Sequence, residues 1–301
     1  MNDSQADLRG RLMSMVKTGF AQAPGDPVGA MAGKWLDLLD DEDLRVLAPD
    51  VFVSLLCEGC AHAATRQKGQ CQVIPLRYAS GKGSLSLALL IVNDDMPYLV
   101  DSILMAMRRQ SVAVDAVMNA VFARERGAPE SFVLCLLSEE LPAAGLARLM
   151  DRIEMVAADA AAVRDDAAAM AEQLSATGRA VAAHIAEGGE VQAFLEWARM
   201  DGYVPLGYAY RAVDAAAGDA SFGLRDRKGV FRDAAHPVYG VCLANIPGDA
   251  DSLSVRSEAL SVVKADVVGT LHRDDSLDVI GVRDVGPDGT ILGEHCFVGL
   301  L

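Results

Sequence analysis

The sequence predicts an α+β fold, and three observations carry that reading. The hydrophobic period changes several times between helical spacing and strand spacing. The strand-like runs come in neighbouring pairs joined by Gly- or Pro-containing turns, the pattern of antiparallel sheets. One apolar seam, Leu146, Leu149, Ile153, Val156, Ala160, Val163, Ala167, Met170 and Leu174, alternates steps of three and four, and is far too long for anything but a helix.

Taken in order, Leu8, Leu12, Val16 and Phe20 recur every four residues and predict a short amphipathic helix, ended by the Pro/Gly stretch Ala23 to Gly29. Helical patterning resumes from Met31 to Leu39 and from Pro49 to Ala64, with an acidic turn, Asp40 to Asp43, between them. Val73 and Leu76, then Leu85 to Val92, read as two strands linked by Gly81-Lys82-Gly83. A helix follows, with Pro97 in its first turn, Asp94, Asp95 and Asp101 near the positive end of its dipole, and Arg108 and Arg109 at the negative end. Val112 to Phe122 and Phe132 to Leu137 form a hairpin about Gly127-Ala128-Pro129.

The long seam then needs a partner. Glu190 to Met200, with Val191, Phe194, Leu195 and Ala198 inward, supplies an intramolecular one beyond the break at Gly188 and Gly189, and a dimeric coiled coil is the alternative. Strand signals return at Leu206–Val213, Val262–Lys264, Asp278–Val285 and Ile291–Leu300, the last two joined at Pro287-Asp288-Gly289. The expected organisation is a helical N-terminal cap (1–70), an α/β sandwich with an antiparallel sheet (71–140), a long amphipathic helix (141–189) and a second antiparallel α+β domain (190–301).

Composition narrows the function. At 301 residues the chain has room for about two domains. With 51% hydrophobic residues it has ample material for buried cores, which excludes wholesale disorder. Forty-two acidic against 27 basic residues give a net charge of -15, and the basic residues are scattered, so neither nucleic acid nor an anionic membrane surface is an expected partner. The longest apolar run, Leu87 to Val92, is strand length, and the N-terminus lacks a signal-peptide core, so a cytoplasmic protein with reduced thiols is expected.

Catalytic and cofactor signatures fail. Gly81-Lys82-Gly83-Ser84 leads into a strand, whereas a phosphate cradle needs a following helix, and no dinucleotide fingerprint opens a helix. Cys57, Cys60, His62 and Cys71 form one metal-like constellation but lack a second ligand pair, so they read as free thiols on an apolar helix. Asp94, Asp95 and Asp101 suit either acid/base chemistry or, more simply, helix capping. Asp274, Asp275 and Asp278 read as a solvated turn. No catalytic, cofactor-binding or metal-binding residue is therefore assigned.

Ile91-Val92-Asn93-Asp94-Asp95-Met96-Pro97-Tyr98-Leu99-Val100-Asp101-Ser102 closely resembles a segment of the large bacterial NAD-specific glutamate dehydrogenases. Phe194 to Tyr208 is similar to a second block of that family. Lys264, Ala265, His272, Arg273, Asp278, Gly281, Val282, Gly293, Glu294, Phe297, Gly299 and Leu300 resemble a third. The resemblance implies the family's non-catalytic N-terminal region, built on ACT-like modules, so that residues 71–140 would be an ACT-like βαββα module. It also implies NAD as cofactor of a catalytic domain beyond residue 301, the rest of the polypeptide and further copies as partners, and a regulatory or assembly role. The alternative is a free-standing ACT-like effector-binding or adaptor protein.

ACT modules commonly bind small effectors, often amino acids, where the first strand turns into the first helix. That resemblance makes Asn93, Asp94, Asp95, Met96, Pro97 and Tyr98 a candidate effector or interface loop, with Tyr98 where a Gly would stand. The run Phe297-Val298-Gly299-Leu300-Leu301 ends the sequence inside an apolar strand, which leads us to expect that the native chain continues.

Overall fold

Leu87 to Val92 are buried on both sides of the pleat, which requires a cover on each face of the sheet that contains them. The computed structural model describes residues 3–19, 27–39, 47–79, 85–122, 129–185, 188–212, 223–244 and 259–301, and divides the chain into two compact units, Met1–Ala158 and Asp159–Leu301.

The first unit begins with three helices, α1 (Asp3–Gly19), α2 (Pro27–Leu38) and α3 (Pro49–Ala63). Pro27 and Pro49 each open a helix, where the missing N–H costs nothing. Part of the stretch expected to break the chain thus starts α2 instead. The turns expected at 40–43, 81–83 and 127–128, and Phe20, lie outside the described residues.

Strands β1 (Gln72–Ala79), β2 (Leu85–Asp94), β3 (Val114–Phe122) and β4 (Glu130–Leu137), with α4 (Leu99–Arg109) between β2 and β3, build an antiparallel sheet in the order β1-β2-β4-β3. One face, with Leu90, Val92, Met118, Phe132 and Leu134, packs against Leu12, Trp35, Leu36, Phe52 and Leu56 of the three helices. Trp35, Phe122 and Phe132 meet edge-on there, with centroids 4.7–6.5 Å apart. Each such pair adds about 0.5–1.5 kcal/mol to what burial supplies. Leu89, Ile91, Val133 and Cys135 point to the other face and are also buried, as are Leu99, Ile103 and Met107 of α4.

The seam helix α5 (Ala143–His184) begins in the first unit and continues through the second. Leu149, Ile153, Val156, Val163, Met170 and Leu174 are buried within the monomer, so the seam does not need a second copy. Helix α6 (Gly188–Trp197), continued by one π-helical turn (Ala198–Gly202), doubles back on the end of α5. Ser175 Oγ donates to Glu196, and the Gly178 backbone sits against Gln192 closely enough that a Cβ would lie 3.2 Å from the Gln192 Cα. The intramolecular hairpin is thus the form observed, and Gly188 and Gly189 begin α6 instead of breaking the chain.

A second antiparallel sheet follows, β5 (Val204–Ala212), β6 (Gly223–Gly229), β7 (Leu260–Val268), β8 (Ser276–Val285) and β9 (Ile291–Leu300), ordered β6-β5-β9-β8-β7. A helix α7 (Pro237–Ala244) lies between β6 and β7 in sequence. Neither β6 nor α7 is legible beforehand: β6 reads GLRDRKG, with no apolar alternation, and α7 is a short apolar run with no polar face. Both units are therefore α+β, each built on one antiparallel sheet.

Candidate functional site

The loop from Asn93 to Tyr98 leaves the end of β2 and enters α4. Its position follows from the cross-strand register, in which Asn93 lies opposite Ser131 and Asp94 opposite Glu130 on β4. Two carboxylates placed side by side in a sheet repel unless something neutralises them. Arg66, just beyond α3, does so: one guanidinium nitrogen donates to Asp94 and another to Glu130, while Nε donates to the Gln70 carbonyl at 2.7 Å. The Arg66 side chain is 1% exposed, and those of Asp94 and Glu130 are 8% and 5% exposed.

This corrects the capping role expected of Asp94. Helix α4 carries no side-chain cap, its N-cap being Tyr98, and the helix starts at Leu99, so Pro97 lies in the turn before it. Asp94 is instead one acid of a buried ion triad that ties the loop, β2 and β4 to the end of α3. Sequence reading missed Arg66 because it stands 28 residues from Asp94 and 64 from Glu130, with no motif linking them.

The remaining loop residues divide by exposure. Asn93 and Met96 are buried, Asp95 is half-buried, and Pro97 and Tyr98 are exposed. The Asn93 side-chain nitrogen has no hydrogen-bond partner among the described residues. Asp95 is held through its backbone, its N–H donating to the Pro129 carbonyl at 2.7 Å. Tyr98 has φ 64° and ψ 4°, the left-handed region that glycine enters freely and other residues enter at a cost. Its carbonyl accepts from both the Ser102 N–H (3.0 Å) and the Ser102 hydroxyl (2.5 Å). Helix α4 has no side-chain hydrogen bond at its N-cap, and the half-buried Asp95 stands in the chain shortly before this positive end of the helix dipole. A cation-seeking group and anion-seeking groups thus stand within one short loop.

The metal-like constellation does not assemble. Cys57 and Cys60 lie on α3 and Cys71 precedes β1. Burial pushes the Cys60 and Cys71 thiols up to about 12, so the thiolate that a metal would need is disfavoured. Among the described residues no group of three or more His, Cys, Asp and Glu is placed to hold a metal.

The second unit carries a polar core of its own. Glu294 on β9 stands opposite Arg211 on β5 and Arg283 on β8, and all three are buried. Gly281 leaves room for it: a Cβ there would lie 2.6 Å from the Glu294 carboxylate. On the other side of the sheet, Tyr208 Oη lies 2.9 Å from His295 Nδ1, and Tyr210 Oη donates to Asp284 at 2.8 Å. Burial lowers the His295 pKa, against the opposing pull of Asp284 and Asp226, which favours the neutral ring. Asp278, read as part of a solvated turn, is buried on β8, where it accepts from Lys264 Nζ (3.1 Å) and the Leu301 N–H (2.9 Å). Asp278 and Glu294 of the C-terminal block are therefore buried parts of the sheet, whereas His272 and Arg273 lie in the bend between β7 and β8.

Residues 31–169 match the family described as "Glutamate dehydrogenase, ACT1 domain", a span from α2 to well into α5 that contains the whole first sheet and the 93–98 loop. Over 238 residues the chain is 26% identical to the NAD-specific glutamate dehydrogenase of Halomonas elongata, covering 70% of this chain and 15% of that protein. The chain thus spans less than a sixth of that relative. A solved structure described as "Structure of an RNA-binding Light-Oxygen-Voltage Receptor" overlaps 94% of this chain and 90% of that one, at 11% identity and a TM-score of 0.19, a likeness too weak to bear on fold or function.

Proposed function

We propose, from the match of residues 31–169 to the glutamate dehydrogenase ACT1 domain family and the similarity to an NAD-specific glutamate dehydrogenase, that this chain is a non-catalytic regulatory and assembly region of such an enzyme. The parent protein would oxidise L-glutamate with NAD and water to 2-oxoglutarate and ammonia, and NAD would bind in a catalytic domain beyond residue 301. The observation that carries the non-catalytic part is the Arg66–Asp94–Glu130 triad. Asp94, a carboxylate at the strand-to-helix junction suited to acid/base work, is buried with Glu130 of β4 on one guanidinium. Further copies of the chain and the rest of its own polypeptide are the proposed partners, and the cytoplasm the proposed location.

The loop at Asn93, Asp94, Asp95, Met96, Pro97 and Tyr98 is the proposed regulatory element. A free amino acid fits its polarity: the carboxylate towards the uncapped N-terminus of α4 and the ammonium towards Asp95, with the repulsion expected from Asp94 offset by Arg66. The buried Asn93 amide, which has no partner among the described residues, favours this reading over a purely interfacial loop. Thermal unfolding of the chain against a panel of amino acids at millimolar concentration tests it. A bound effector raises the melting temperature with concentration, because it stabilises only the folded form. No rise for any member of the panel would reject sensing and leave the loop as an interface.

A further inference from the structure

The two edges of the second sheet differ in character. Edge strand β6 is charged along its length, with Arg225, Asp226, Arg227 and Lys228. Such charges discourage pairing with another chain. Edge strand β7, with sequence LSVVKADVV, exposes Val262, Val263 and Val268 by 42%, 37% and 43%, and among the described residues no strand pairs with its outer side.

The segment Val262 to Val268 is symmetric about its centre: V-V-K-A-D-V-V. We propose that β7 pairs antiparallel with β7 of a second copy of this chain, about a two-fold axis at Ala265, joining two five-stranded sheets into one. In that register Val262 faces Val268, Val263 faces Val267 and Lys264 faces Asp266, each contact made twice. An isologous interface requires this self-complementarity. Moving the register by one step in either direction that keeps the same faces inward sets Lys264 against Lys264 or Asp266 against Asp266, so the charges also select the register. Lys264 holds Ser276 and Asp278 within its own chain, at 3.1 Å each, yet its side chain is 54% exposed and retains donor capacity for the partner's carboxylate. The ladder with β8 shifts between Lys264 and Val268, a bulge of the kind that bends an edge strand. In a monomer it would serve to blunt the edge, which is the opposing outcome of the test.

The pairing gives the proposed assembly role a surface and rests on that role for its purpose. Sedimentation equilibrium of the full 301-residue chain tests it, with Asp266→Lys, Asp266→Asn and Lys264→Asp variants whose folding is checked by circular dichroism. The wild type is expected to self-associate. Asp266→Lys should raise the dimer dissociation constant by about tenfold or more, with Asp266→Asn intermediate. An equimolar mixture of Asp266→Lys and Lys264→Asp should form a heterodimer that neither forms alone, because the two strands then carry opposite charges in register. Should Lys264→Asp lose its fold with its contact to Asp278, the Asp266 pair decides. A wild type that stays monomeric, or a dissociation constant indifferent to Asp266→Lys, overturns the pairing. Neither result affects the amino-acid titration of the first unit, so the two proposals fail separately.

Discussion

Arg66 holds two acids that the sheet register forces together, and removing it leaves them buried without a counter-charge. Arg66→Met is expected to cost about 3–5 kcal/mol in urea unfolding, and the triple change with Asp94→Asn and Glu130→Gln to recover most of it, since a neutral cluster no longer needs the guanidinium. Tyr98 poses a backbone question at φ 64°. Glycine should there be more stabilising than alanine by about 1 kcal/mol, the reverse of their order in a helix interior, as read from melting of Tyr98→Gly against Tyr98→Ala. His295 gives the pH dependence. Its pKa lies below the usual 6.5 because of burial, so the unfolded chain takes up the proton first. Stability should be full above about 6.5 and decline as the pH falls from there towards the folded value, and His295→Gln should remove that part of the slope. The loop at 93–98 was legible because its residues are contiguous, whereas Arg66 and the grouping of Arg211 and Arg283 about Glu294 depend on strand register, which a linear reading does not supply.

Elements were legible where the period was long and clean. The α5 seam, the doubly buried β2 and the β8–β9 hairpin follow from spacing alone, and the strand at 72–79 takes a sheet edge beside β2. The failures have local causes: β6 spends its pattern on charge, α7 has no polar face, and two glycines read as a break instead begin α6 because tertiary packing overrides propensity. At Gly188 an added Cβ would lie 2.3 Å from the Val181 carbonyl oxygen and 2.7 Å from the Ala182 Cα, both backbone atoms that yield little. Gly188→Ala should therefore open the α5–α6 junction and cost about 1–3 kcal/mol, seen as faster amide exchange in α6.

The whole chain is two units, each with its own antiparallel sheet, and the ACT1 match extends from the first into the start of the second. Because each unit has a separate core, Arg66→Met should speed amide exchange across the first sheet while leaving the second sheet's protection close to wild type. The acid excess of the full sequence disfavours nucleic acid and anionic lipid as partners. The role proposed for this chain is regulation and assembly without catalysis. Its most direct test is NADH formation from L-glutamate and NAD by the 301-residue chain alone, followed by near-ultraviolet absorbance at high protein concentration. No NADH above the protein-free rate is the expected result, and sustained glutamate-dependent turnover would contradict it.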